Sequence, residues 1–145
     1  MPSFLYEDLD TFSRWGNLNK DIPDYVKDNL NPKFELRPYQ VEAFSRFFHC
    51  FGKDFPGKQT PLHLLFNMAT GSGKTLIMAG LILYLYEQGY RNFLFFVNST
   101  NIIEKTKENF LNPLSSKFLF ADQLRFGTSY CQIWCMGSQA ASLSG

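Results

Sequence analysis

The stretch NMATGSGKTLIMAG, residues 67–80, constrains this chain more than any other part of its sequence. Gly71 and Gly73 lie at its centre, and successive backbone amides can wrap an anion only where the chain takes conformations that a side chain would obstruct. The apolar residues 62–66 before it indicate a buried strand, and the apolar run after it indicates a helix packed on a sheet. A helix N-terminus that follows such a loop favours an anion through its free amides and its dipole. The pattern therefore predicts an α/β fold with a phosphate-binding loop.

The end of this loop carries the residues expected to hold a nucleotide triphosphate and its metal ion. Lys74 can reach the β- and γ-phosphates, and the Thr75 hydroxyl can complete the coordination of Mg²⁺. These two are the candidate catalytic residues, and the rest of the predicted cradle is Thr70, Gly71, Ser72 and Gly73. Met68 stands where the strict G-x-x-x-x-G-K-[ST] pattern has its first glycine, a position that only shapes the turn. The alternative is an ordinary glycine-rich turn from a strand to a helix.

The segments on either side predict the elements that surround the loop. A helix should begin at Pro38, which suits a first turn, and end near Gly52. A helix over 75–88 should be followed by a second buried strand over 93–97, giving a βαβ unit with a right-handed crossover in a parallel sheet flanked by helices. A further helix should run to about Leu111.

Composition excludes several other classes of protein. The net charge is +1, so no general basic field indicates a nucleic-acid partner. Cys50, Cys131 and Cys135 lack C-x-x-C spacing, which argues against a zinc site or a disulfide framework and favours a reducing, cytoplasmic setting. The longest apolar run, residues 76–86, is too short for a membrane helix of roughly 20 residues, so no membrane association is expected.

A second motif precedes the loop. LRPYQVEAF, residues 36–44, resembles the Arg-Pro-Tyr-Gln element of superfamily 2 helicases and translocases, and MATGSGKT resembles motif I of the same proteins. The resemblance implies that Gln40 recognises the adenine edge, for which its amide offers a donor and an acceptor together. Arg37 and either Tyr39 or Phe34 would then shape the base pocket. The alternatives are a solvent-facing Gln40 and a plain surface cation at Arg37.

A third match follows the second predicted strand. FFVNSTNIIEKTKENF, residues 95–110, resembles motif Ia, a loop that touches the nucleic-acid backbone in that superfamily. By this resemblance Ser99, Thr100 and Lys105 or Lys107 would contact phosphates, which positions a nucleic acid without reading its sequence. The alternative is an ordinary helix cap beside a solvated face of Lys and Glu.

Taken together, residues 34–111 are most similar to the Res subunit of type III restriction enzymes and related DEAD/DEAH-box proteins. The resemblance implies a RecA-like P-loop NTPase domain that binds ATP and Mg²⁺. It further implies that the complete protein moves along double-stranded DNA and works with a methylation (Mod) subunit.

The sequence lacks two features that this resemblance would lead us to expect. Such motors need an acidic D-E-x-[DH] element and an arginine from a second domain, yet no Asp-Glu dipeptide occurs in the chain. Residues 117–123, KFLFADQ, could imitate the acidic strand but fit a hairpin strand better. We therefore expect the amino-terminal part of a motor that binds nucleotide but lacks catalytic competence. A non-catalytic nucleotide-binding remnant and a small-molecule P-loop kinase are the alternatives.

The expected domain organisation has three parts. Residues 1–33 form an N-terminal helical extension, residues 34–127 a partial RecA-like ATP-binding domain, and residues 128–145 a tail. All 14 Lys and Arg and all 13 Asp and Glu precede this tail, which raises the possibility of a sequence foreign to the domain, as after a frameshift or truncation.

Overall fold

A computed structural model describes residues 4–55, 58–126 and 129–131 of the chain. Within these residues five helices and two short strands follow one another. They are α1 (Leu5–Arg14), α2 (Asp24–Lys27), α3 (Pro38–Gly52), α4 (Lys74–Glu87), α5 (Thr100–Leu111), β1 (Leu124–Phe126) and β2 (Ser129–Cys131). None of the helices in these residues is long and apolar enough to cross a membrane.

The three helices around the loop form where local sequence signals predict them. Pro38 is the first residue of α3, where its missing N–H costs no hydrogen bond and its fixed φ suits the helix. Helix α4 begins at Lys74, one residue before the predicted start, and Gly89 follows its end with φ 97°. Helix α5 ends at Leu111, as predicted, before Asn112 and Pro113. These predictions are confirmed.

The hydrophobic core lies where α2 and α3 pack on α4. Val26, Phe44 and Leu83 are almost completely buried there. Gly80 permits this close approach, since a Cβ built on it would lie 2.5 Å from Phe44 Cζ. The loop at the start of α4 is thus attached to a helix that is anchored along its length.

Residues 29–31 are joined to the segment after α5 by a polar network. Asn29 is fully buried, and its Nδ2 donates to the carbonyls of Tyr25 and Arg125, each at 2.7 Å. Its Oδ1 accepts the Arg125 N–H at 2.6 Å. Leu30 forms an isolated antiparallel bridge with Phe120, whose side chain lies in the core. Asn31 adds a bond from its Nδ2 to the Phe118 carbonyl at 3.0 Å, so both asparagines hold these distant parts of the chain together.

Replacing Asn29 with leucine tests this network. Asn29→Leu keeps the side-chain size but leaves the Arg125 N–H and two carbonyls without their partner. We expect a loss of about 3 kcal/mol in the free energy of unfolding, measured by urea denaturation. The exposed Asn17 supplies the control, Asn17→Leu, which should change stability little. Equal midpoints for the two variants would show that Asn29 does not hold these segments together.

The predicted parallel sheet is not present among the described residues. Residues 62–66 and 93–97 have no strand assignment, and the sheet that is present is the antiparallel pair β1–β2, with Leu124 opposite Cys131. The prediction was wrong because an apolar run shows what a segment would bury, whereas a strand also needs a neighbour for its backbone groups. Leu65, Leu94 and Phe96 are 92%, 84% and 84% exposed, so these runs are not buried either.

The predicted boundaries at residues 33/34 and 127/128 stay a prediction. Ile22, Val26 and Leu30 of the predicted N-terminal extension belong to the same core as Phe44 and Leu83. Of the predicted tail, β2 lies in the described residues and pairs with β1, while residues 132–145 lie outside them. The hairpin expected at 117–123 begins instead at Leu124.

Candidate nucleotide-binding site

The loop has the backbone shape that its glycines predict. Gly71 has φ 79° and Gly73 has φ 82°, both in the left-handed region that L side chains rarely adopt. Gly73 caps α4, and the N–H groups of Leu76 and Ile77 already bond to its carbonyl at 2.9 and 3.1 Å. The first amides of the helix have no carbonyl one turn earlier, so they are available to an anion.

The side chains at the loop provide an ammonium group and two hydroxyls. Lys74 curves back so that its Nζ donates to the carbonyls of Met68 and Ala69 at 2.9 and 2.8 Å. This places an ammonium group beside the loop. Ser72 Oγ is buried and has no hydrogen-bond partner among the described residues. Thr75 lies in the first turn of α4, where its hydroxyl could hold Mg²⁺.

Gln40 is part of the same structure rather than a surface residue. It is 4% exposed, which excludes the solvent-facing alternative. Its Oε1 accepts the Arg37 N–H at 2.9 Å, which caps α3, and its Nε2 donates to the Ser72 carbonyl at 2.9 Å. The sequence resemblance thus located a residue in contact with the loop, while its recognition of adenine stays a prediction.

A cleft of about 560 Å³ opens between the start of α3 and the loop. Arg37, Tyr39 and Arg46 line one side of it, and residues 67–72 line the other. Phe34, the other aromatic candidate, packs against the core instead. Of the two aromatic candidates, Tyr39 is therefore the one that lines the cleft.

A cluster of four charged side chains, which was not predicted from the sequence, borders this cleft through Glu42 and Arg46. It consists of Asp10, Lys20, Glu42 and Arg46. Glu42 pairs with Arg46 at 3.0 Å and with Lys20 at 3.1 Å, and Arg46 also pairs with Asp10 of α1. The Glu42–Arg46 spacing of four residues on a helix was a usable signal, but the contacts with Asp10 and Lys20 depend on tertiary structure.

Burial and charge compete in this cluster. Burial by itself would raise the pKa of Glu42, but hydrogen bonds from Ser13, Lys20 and Arg46 outweigh it and lower that pKa. Burial would lower the pKa of Arg46, and its hydrogen bonds with Asp10 and Glu42 raise it. Both groups are therefore charged at neutral pH.

The lowered pKa of Glu42 predicts a loss of stability in acid. A carboxyl with a depressed pKa stabilises the fold above its unfolded-state pKa, and this contribution disappears as pH falls through the folded-state value. We expect Glu42→Gln to cost about 1 kcal/mol at pH 7 and less below about pH 4. Urea unfolding at both pH values measures the difference. An equal loss of unfolding free energy at pH 7 and below about pH 4 would show that the charge of Glu42 does not stabilise the fold.

The residues that resemble motif Ia lie on a separate element. Ser99 is the N-cap of α5, and Thr100 and Lys105 are exposed on that helix. Lys105 borders a second groove with Ser115, Ser116 and Lys117, and Lys107 pairs with Glu104 at 3.3 Å. Their contact with nucleic acid stays a prediction.

The glycine-rich loop, with its lysine at the start of a buried helix, places the chain among P-loop proteins. Comparison with known families gives a closer assignment. The family described as "Type III restriction enzyme, res subunit" matches residues 33–134. The chain therefore belongs to the family of Res subunits of type III restriction enzymes, in agreement with the sequence resemblance, and this family implies a RecA-like P-loop fold.

One relative in Haemophilus influenzae supports the assignment. The protein described as "Probable type III restriction-modification enzyme HindVIP Res subunit" is 50% identical over 115 residues. The aligned region covers 77% of this chain and 22% of the relative, so the chain spans less than a quarter of that protein's length. No solved structure matches the chain significantly.

Proposed function

We propose that this chain is the ATP-binding part of a Res-type subunit, which couples ATP hydrolysis to movement along double-stranded DNA in the complete protein. The observation that best supports this proposal is the structure of the loop, where Lys74, the free amides of α4 and the left-handed glycines converge beside the cleft. Mg²⁺ supplies charge neutralisation at the phosphates when bound, and the Thr75 hydroxyl would hold it. A cytoplasmic setting and a methylation subunit as partner belong to the same proposal.

Adenine preference follows from the residues beside the loop. The family resemblance implies that Gln40 recognises adenine; here its Oε1 accepts the Arg37 N–H and its Nε2 donates to the Ser72 carbonyl, so contact with a base would use its remaining Nε2–H and Oε1 lone pair. Arg37 and Tyr39 line the space where a base would sit. Competition between ATP and GTP for the chain in the presence of Mg²⁺ tests this. We expect ATP to bind about tenfold more tightly, and equal affinities would refute base recognition here.

DNA contact is proposed for the start and outer face of α5. The Ser99 and Thr100 hydroxyls, the free amides of that helix end and Lys105 suit backbone phosphates. Lys105→Ala should weaken binding to double-stranded DNA of any sequence and reduce its salt dependence. Lys53→Ala, at an exposed lysine on the far end of α3, is the matched control.

The exposed apolar segments support strand pairing within a longer protein. Residues 62–68 alternate between half-buried and exposed, with Phe66 and Met68 against the core and Leu65 outward. Residues 93–96 are all exposed and apolar. We propose that both segments pair with strands from the remainder of a full-length Res protein, because unpaired backbone that carries exposed apolar side chains is a template for pairing with another strand.

A nucleotide-binding role without hydrolysis is the second candidate for the isolated chain. The sequence has no Asp-Glu dipeptide to position Mg²⁺ and the attacking water. An ATPase assay with and without double-stranded DNA tests whether the isolated chain hydrolyses ATP. We expect ATP binding without turnover, and DNA-stimulated turnover by the purified chain would overturn this part of the proposal.

A further inference from the structure

Two neighbouring side chains at the start of α3 converge on one backbone oxygen of the loop. The Ser72 carbonyl accepts a hydrogen bond from Gln40 Nε2 at 2.9 Å and another from the Tyr39 hydroxyl at 3.2 Å. The Arg37 guanidinium donates to the Tyr39 hydroxyl oxygen at 3.4 Å. A single carbonyl is thus held from two directions.

The two donors differ in how firmly they are themselves held. Gln40 is buried, and its Oε1 is fixed by the Arg37 N–H. Tyr39 is 42% exposed, and its ring borders the cleft while its hydroxyl points to the loop. Gln40 therefore anchors the carbonyl from inside, and Tyr39 completes the contact from the solvent side.

The direction of this carbonyl determines the direction of an amide. A peptide unit is planar and trans, so its C=O and N–H point in opposite directions. The Ser72 C=O and the Gly73 N–H belong to the same unit, and Ser72 lies between two glycines in left-handed conformations. Because the carbonyl points to α3, the Gly73 N–H is turned away from α3. That amide is the one immediately before α4.

We infer that Tyr39 is a positioning residue that sets the direction of the Gly73 N–H by holding the Ser72 carbonyl. Its hydroxyl thereby supports binding of the triphosphate, in addition to any contact of its ring with a base. The inference rests on the proposed function, since it gives this residue a role in nucleotide binding by the loop. This role of Tyr39 differs from base recognition, because holding the Ser72 carbonyl should affect every ligand that carries the same phosphates equally.

Tyr39→Phe separates these roles, since it keeps the ring and removes the hydroxyl. Affinities for ATP, GTP and inorganic tripolyphosphate, each with Mg²⁺, should all fall by the same factor, about three- to tenfold for one hydrogen bond. Tyr90→Phe is the matched control at another exposed tyrosine and should change none of them. Unchanged tripolyphosphate affinity in Tyr39→Phe, or a loss confined to ATP, would overturn the inference.

A measurement without nucleotide tests the role of Tyr39 independently of whether the chain binds ATP. Hydrogen exchange of the loop amides, Gly73 included, should be faster in Tyr39→Phe than in the wild type, while the unfolding midpoint falls only slightly, as for the loss of a single exposed hydrogen bond. Equal exchange in the two proteins would overturn the inference. A wild type that binds no triphosphate would refute the proposed function, and the exchange result would still decide whether Tyr39 shapes the loop.

Discussion

Lys74→Ala should reduce the affinity of the chain for MgATP about 100-fold or more. Lys74 Nζ donates to the Met68 and Ala69 carbonyls, which places its positive charge beside the loop. In a nucleotide complex these bonds would be exchanged for bonds to phosphate oxygens, and charge-assisted bonds contribute about 1.5–3 kcal/mol each. Equilibrium titration with ATP measures the loss.

The fold should survive this change, because Lys74 is exposed and contributes nothing to the core. The midpoint of urea unfolding should shift by less than about 1 kcal/mol in free energy. Lys53→Ala removes an exposed lysine elsewhere and should leave ATP affinity unchanged. If Lys74→Ala bound ATP as tightly as the wild type, the loop would have no part in nucleotide binding.

Gly73→Ala should destabilise the chain more than Gly71→Ala, although both glycines have nearly the same φ. Each alanine incurs about 1–2 kcal/mol for a left-handed conformation. A Cβ at Gly73 would in addition lie 2.4 Å from Gln40 Nε2, whereas a Cβ at Gly71 meets nothing within 4 Å. Gln40 cannot move aside without breaking its bonds to Ser72 and Arg37.

We therefore expect a loss of about 3 kcal/mol for Gly73→Ala and about 1 kcal/mol for Gly71→Ala in urea unfolding. The difference between the two variants isolates the contact between the loop and α3 from the backbone conformation that the glycines share. Equal losses would mean that Gln40 is free to move, and the close packing of α3 on the loop would be wrong.

The sequence was sufficient for features that depend on near neighbours along the chain. Pro38 predicted the start of α3, Gly71 and Gly73 predicted the left-handed turns, and Gly89 predicted the end of α4. Each of these residues acts through its own φ or through a hydrogen bond within one helical turn. The helix ends and the left-handed turns are therefore determined by residues close to them in the sequence.

Features that depend on distant partners were not predictable in the same way. The predicted parallel sheet is not found in residues 4–55, 58–126 and 129–131, because an apolar run cannot show whether a neighbouring strand is present. The bonds of Asn29 with Arg125 span 96 residues, and nothing in the sequence near Asn29 indicates them. For the site, the motifs located Arg37, Gln40 and the loop, but the contact of Tyr39 with Ser72 required the structure.

Hydrogen exchange with and without MgATP tests the central claim, that this loop holds the phosphates of ATP. We predict that MgATP slows exchange of the backbone amides over residues 70–76, at the glycines and the first turn of α4. The exchange of α1 and of the hairpin β1–β2 should stay the same. Unchanged exchange over residues 70–76 at saturating MgATP would contradict the account.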